Sequence, residues 1–174
     1  VRPDRERIFM VELRAKGLDL HAGQVVDRVG RLLGLPFPAG HALDALARQS
    51  GCRQFLRPAL KGADCCLSGV VNRCERLLRE GWEGPDVARY CILSIQAALL
   101  GMTEAALRVC AQEGLGELPL VYAGGVMANS LIREEFQRRY GALFAQSELS
   151  SDNAAGVAVL ASMMYERGIS PCRG

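Results

Sequence analysis

Apolar positions along this chain recur with a helical period far more often than with a strand period. Between residues 22 and 33, Val25, Val26, Val29, Leu32 and Leu33 share one face, with polar and charged residues opposite. That is the stripe of an amphipathic helix. Leu35-Pro36-Phe37-Pro38 ends it, because proline cannot continue a helix. Over 40–49, Leu43, Leu46 and Ala47 repeat the i, i+3, i+4 spacing. A third helix is predicted over 68–79, capped by Ser68 and broken by Gly81-Trp82-Glu83-Gly84-Pro85. The longest is predicted over 86–112, where Ala88, Cys91, Ile92, Ile95, Leu99, Met102, Ala106 and Val109 keep the period. Gly101 inside it marks a kink or a close helix contact. Strand candidates are fewer and shorter, at 8–13, 118–123 and 142–145. Residues 55–66 read as an irregular connection with room for a short strand. The expectation is a helix-rich α/β fold with a small sheet, one domain over 1–168 and a frayed tail over 169–174.

Residues 118–161 form the most informative unit. The apolar run Leu118-Pro119-Leu120-Val121-Tyr122-Ala123 ends abruptly at Gly124-Gly125, and Val126-Met127-Ala128-Asn129-Ser130 opens a helical pattern. A buried strand that breaks at glycines and feeds a helix presents backbone N–H groups at a sheet edge, a geometry suited to phosphate or nucleotide. A plain strand-to-helix turn uses the same residues. After the next strand candidate come Ser150-Ser151-Asp152-Asn153 and an apolar helical run from Ala154. Asp152 or Ser151 suits a helix N-cap. A carboxylate on such a loop also binds a hard metal ion.

Composition narrows the class. The chain has 174 residues, 49% of them hydrophobic and 23% charged, ordinary values for a folded domain. A net charge of +2 is too small to argue for nucleic-acid binding by itself. Lys16 and Lys61 are the only lysines. No apolar run reaches the ~20 residues of a membrane span, and no signal-peptide pattern is visible, so a cytoplasmic location and no membrane partner are expected. The seven cysteines form no Cys-x-x-Cys pair, which disfavours zinc by spacing. Free buried thiols are expected, as a reducing compartment keeps them. Cys65-Cys66 beside Ser68 is the one place that suggests a nucleophile, but no histidine is near in sequence.

The motifs together carry a resemblance. Val121-Tyr122-Ala123-Gly124-Gly125-Val126-Met127-Ala128-Asn129-Ser130, followed by Ser151-Asp152-Asn153-Ala154-Ala155, resembles the threonylcarbamoyl-transferase family of tRNA modification enzymes. An older label is the glycoprotease, or O-sialoglycoprotein endopeptidase, family. Upstream, His21-Ala22-Gly23-Gln24-Val25-Val26-Asp27-Arg28-Val29 runs into Leu32-Leu33-Gly34-Leu35-Pro36-Phe37-Pro38-Ala39-Gly40. This is similar to the family's helix ending in Leu-Gly-Leu-Pro-x-Pro-Gly-Gly. Leu67-Ser68-Gly69-Val70 resembles its Phe-Ser-Gly-Leu element, and Asp86-Val87-Ala88 its Asp-Ile-Ala.

The resemblance implies an actin/Hsp70-like ATPase fold of two similar lobes in a protein about twice this long, with this chain as part of the second, carboxyl-terminal lobe. The family's nucleotide-binding hairpin, its His-x-x-x-His metal pair and its Ser-Gly-Gly-His-Thr phosphate loop do not occur in the sequence. The resemblance places Asp27 against a ribose, where the bland reading is a solvated helix carboxylate paired with Arg31. It places Gly40 at a turn where positive φ and close nucleoside approach are expected. Gly124, Gly125 and Asn129 fall against the nucleotide, although Asn129 also suits a cap. Asp152 matches a carboxylate ligand to iron or zinc; His21 and His41 are not the family's metal histidines.

There are departures. The family's Asp-Asp-Ala-Ala-Gly-Glu is Asp19-Leu20-His21-Ala22-Gly23-Gln24 here, Ala39 replaces a glycine, and Val71 stands where lysine is usual. The implied activity is transfer of a threonylcarbamoyl group from its adenylate to a tRNA adenosine. The cofactors would be an adenine nucleotide (threonylcarbamoyl-adenylate or ATP) and an iron or zinc ion. The partners would be the missing amino-terminal lobe, accessory tRNA-modification proteins and tRNA. This chain alone is expected to be inactive, and the resemblance singles out no catalytic residue in it. The alternative is a non-catalytic relative that acts as a nucleotide-binding partner or regulator. The older label implies a metalloprotease, but the chain has no His-Glu-x-x-His.

Overall fold

Helices dominate the computed structural model, which describes residues 1–4, 8–146 and 154–169. In chain order the elements are β1 (Arg2–Asp4), β2 (Ile8–Met10), α1 (Ala22–Leu32), α2 (Gly40–Ala47), β3 (Ala59–Lys61), β4 (Asp64–Cys66), α3 (Ser68–Arg79) and α4 (Gly84–Gln112). Then follow β5 (Val121–Tyr122), a 3-10 turn (Gly125–Ala128), α5 (Ser130–Tyr140), β6 (Leu143–Phe144) and α6 (Ala154–Glu166). The helix-rich α/β class matches expectation.

The expected small sheet is broken into three pairs among the described residues. β1 and β2 are antiparallel, as are β3 and β4, while β5 and β6 run parallel with Val121 opposite Leu143. The first strand stops at Met10 instead of continuing to residue 13. Only β1 offers it a ladder among the described residues, and Val11 and Leu13 are left exposed. The 55–66 connection contains the β3–β4 hairpin. Cys65 anchors it: its carbonyl accepts from the Leu18 N–H at 2.8 Å and its N–H donates to the Lys16 carbonyl at 3.1 Å.

α4 is the central post. Val87, Ala88, Cys91, Ile92, Ile95 and Ala98 are buried on it, and it packs against α1, α2, α3 and α5. Leu43 of α2, Val25 and Val29 of α1, Leu77 of α3, and Ile132 and Phe136 of α5 complete this core. Each such side chain contributes roughly 1.5–3 kcal/mol by leaving water. At 29 residues and a mean hydropathy of 1.4 over its most apolar window, α4 is long and apolar enough to cross a membrane. Its buried residues lie between Val87 and Ala98, in the half that packs into the core, whereas Val109 near its end is exposed. Arg89, midway along the buried half, donates to the Cys52 carbonyl at 2.8 Å and the Ala47 carbonyl at 3.3 Å. The Ser94 hydroxyl donates to the Tyr90 carbonyl at 2.6 Å and accepts from the Leu56 N–H at 2.9 Å.

Two glycines mark tight packing. A Cβ on Gly101 would lie 2.7 Å from Leu60 Cδ1, so Gly101 is a close contact with β3. A Cβ on Gly30 would lie 2.2 Å from the Cβ of buried Ala39, which lets the turn before α2 press onto α1. The described cysteines 52, 65, 66, 74, 91 and 110 are free thiols.

Candidate functional site: an open corner between α1, α2 and the glycine turn

β5 delivers the chain to Gly124, whose φ of 103° is a conformation that side chains resist. The Met127 N–H then donates to the Gly124 carbonyl at 3.1 Å, closing a 3-10 turn. The first N–H groups of a helical turn have no carbonyl within it; here they belong to Gly125 and Val126. A Cβ on Gly124 or Gly125 would meet nothing within 4 Å, so the turn is bare. The helix predicted from residue 126 begins later because Asn129 interrupts it. Asn129 is extended, and its Oδ1 accepts from the N–H groups of Leu131 at 3.1 Å and Ile132 at 3.2 Å. This is the cap anticipated for it, and it sets the axis of α5.

The start of α5 is tied to α2. Asp44 accepts from the Ser130 N–H at 3.1 Å and the Ser130 hydroxyl at 2.7 Å. Arg48 Nε donates to Ser130 Oγ at 2.6 Å, and its guanidinium pairs with Glu134. On α1, a Cβ at Gly23 would sit 4.0 Å from Val126 Cγ2. Asp27 is one turn further along the same face of α1. Its Oδ1 accepts from the Ala39 N–H at 2.9 Å. Asp27 is therefore half-buried and holds the start of α2, rather than pairing with Arg31 as the bland reading had it. Gly40 follows directly. It lacks the positive φ expected there; the left-handed residue of this connection is Gly34, at φ 71°, just after α1. Gly34 makes the turn, so Gly40 opens α2 in an ordinary conformation, and a Cβ on it would meet open space.

These contacts set α1, the start of α2 and the glycine turn beside one another, with Asp27 and Gly40 on the first two and Gly124, Gly125 and Asn129 on the third. Neither of the two best-formed concavities lies there. One sits beside the end of α4 at Leu107, Leu118 and Tyr140, the other between residues 52–55 and α4. The corner is open surface in this chain. Asp152, with Ser151 and Asn153, lies outside the described residues. Among the described residues no three His, Cys, Asp or Glu side chains converge to hold a metal ion, so those donors do not fit an iron or zinc site.

The chain pattern missed Asp19. Its carboxylate accepts from the N–H groups of Leu20 at 2.6 Å, Leu67 at 2.7 Å and Ser68 at 3.0 Å, and from the Ser68 hydroxyl at 2.6 Å. Desolvation works to raise its pKa, but the Ser68 hydroxyl and the three N–H groups outweigh it and hold the carboxyl well below the usual carboxylate range. Ser68 was expected to cap α3; instead Leu67 occupies the cap position and Asp19 supplies the acceptor from across the chain. The start of α1 is closed instead by Gln24, whose side chain accepts from the His21 N–H at 3.0 Å. Cys65 is not poised as a nucleophile, because burial first and the Asp19 charge second push its thiol up.

The profile of the tRNA N6-adenosine threonylcarbamoyltransferase family, TsaD, matches residues 5–159. The chain belongs to this family. Relatives carrying that name include the Archaeoglobus fulgidus protein, 34% identical, aligned over 96% of this chain and 50% of its own length. The Chlorobium luteolum protein is 35% identical over 90% and 50%, and the Bordetella avium protein 32% identical over 91% and 49%. The chain thus spans about half the length of the TsaD relatives it matches. All the corner residues, and Asp152, fall inside the TsaD match.

Proposed function

We propose that this chain is the carboxyl-terminal, second-lobe part of a two-lobed, actin/Hsp70-like tRNA-modifying transferase, and that its open corner binds an adenine nucleotide. The observation that carries the nucleotide reading is the convergence of a bare glycine turn with the carboxylate-anchored start of α2. The N–H groups of Gly125 and Val126 donate to a phosphate. Asp27 keeps Oδ1 on Ala39 and offers its other oxygen to a ribose hydroxyl, while Gly40 leaves room for the sugar. Asn129 keeps its carbonyl on α5 and turns its amide toward the nucleotide. The group delivered would be threonylcarbamoyl, carried as its adenylate to N6 of a tRNA adenosine. Where the complete protein holds an iron or zinc ion, Asp152 would supply one carboxylate to it.

The β5–β6 pair supports the half-lobe reading. Val121 is 67% and Leu143 60% exposed, yet parallel strands are normally covered on both faces. Val157 and Val159 of α6 are exposed as well. These apolar faces suit the remainder of a two-lobed protein.

The test is genetic and calorimetric. The complete gene, expressed in a strain lacking its own transferase, should restore threonylcarbamoyladenosine in tRNA by mass spectrometry, and the 174-residue chain alone should not. Nucleotide binding without rescue would mark a non-catalytic relative acting as a partner or regulator. Failure of the complete protein to bind ATP in a calorimetric titration would refute the corner.

A further inference from the structure

The connection from α2 to α3 is a basic strip over most of its length, with Asp64 its one acid, near the end. Residues 45–63 contain Arg48, Arg53, Arg57 and Lys61 and no Asp or Glu, although the whole chain has a net charge of only +2. Arg48 is used by Glu134. Arg53 and Arg57 are exposed, and among the described residues no carboxylate pairs with either. Behind them the half-buried Arg89 guanidinium donates to the carbonyls of Cys52 and Ala47. Phe55 stands among these cations with half its surface, 50%, in solvent.

The strip is held in place. Arg89 grips it at Cys52, and Ser94 grips it at the Leu56 N–H. Between those two anchors Phe55 and Arg53 form one wall of a groove whose other wall is α4, at Leu93, Gln96 and Leu100. A fixed, exposed aromatic ring flanked by unpaired arginines combines the two elements that hold single-stranded nucleic acid: a stacking platform for a base and cations for the backbone.

We propose that this groove is an RNA-binding site, with Phe55 stacking on an unpaired base and Arg53 and Arg57 on the flanking phosphates. It is separate from the nucleotide corner and rests on the reading of the protein as tRNA-directed. The charge pattern fits a polyanion, and the exposed ring between the arginines distinguishes RNA from a merely acidic surface.

The probe is a fluorescently labelled, unmodified tRNA transcript, titrated against the complete protein by anisotropy over a range of salt. Phe55→Leu keeps the apolar contact but removes the platform, and should weaken binding about 5- to 100-fold. Arg53→Gln with Arg57→Gln should weaken it about tenfold or more and flatten the salt dependence by the equivalent of about two phosphates. ATP affinity and melting temperature should stay at the parent values in both variants. Unchanged tRNA affinity and salt slope in both variants would overturn the groove. Competition by polyglutamate as strong as by unlabelled tRNA would place an acidic protein there and overturn it too. If the parent protein binds no tRNA while the complete gene still restores tRNA modification, the groove alone is wrong; if rescue also fails, the tRNA-directed reading falls with it.

Discussion

Asp19→Ala should loosen the fold at the start of α3. Three of the four hydrogen bonds that Asp19 accepts come from Leu67 and Ser68, at the start of α3. The carboxylate therefore acts as a helix cap delivered from another part of the chain. Loss of a capping side chain costs about 0.5–2 kcal/mol, and a negative charge at a helix start adds about 0.3–1 kcal/mol. Asp19 is largely exposed, so water replaces part of what is lost, and a total of about 1–3 kcal/mol is expected. For a chain of this size that corresponds to a fall in melting temperature of about 3–10 °C. The pH dependence has a definite sign. The folded-state pKa of Asp19 is depressed, so its contribution is complete above the unfolded value near ~3.9 and is lost as pH falls through the lower folded value. Parent and Asp19→Asn proteins should therefore differ in melting temperature at neutral pH and converge in acid. Thermal circular dichroism of parent, Asp19→Ala and Asp19→Asn across that range decides it. A melting temperature within about 1 °C of the parent at neutral pH would show that Asp19 does not anchor α3.

Two further substitutions probe the corner and its support. Asp27→Ala should lower ATP affinity at least about tenfold by calorimetry, and the lost bond to the Ala39 N–H should also cost about 1 kcal/mol in urea unfolding. An affinity equal to the parent's would reduce Asp27 to a structural anchor. Gly30→Ala forces a Cβ to 2.2 Å from Ala39 and should destabilise by about 1–3 kcal/mol; no change in the urea midpoint would mean the α1–α2 contact yields freely.

Periodicity located α1, α2 and α4, and cap and breaker residues bounded α3, because a helix closes its hydrogen bonds locally and writes its buried face into nearby residues. The stripe Val25, Val26, Val29 is buried as read, whereas Leu32, the last residue of α1, is exposed. The glycine turn and the Asn129 cap were legible for the same local reason. The strands were not. A strand needs a partner, and Ile8–Met10 and the β3–β4 hairpin are bounded by what pairs with them. The site was legible only as separate motifs. Their meeting depends on Gly23 facing Val126, Asp27 holding Ala39, and Asp44 holding Ser130 across 86 positions. The Asp19–Ser68 clamp spans 49 positions and left no mark in the local pattern. Local sequence set which segments coil and where they stop; packing around α4 decided which carboxylate serves which helix, because those bonds join residues that only the folded chain brings together.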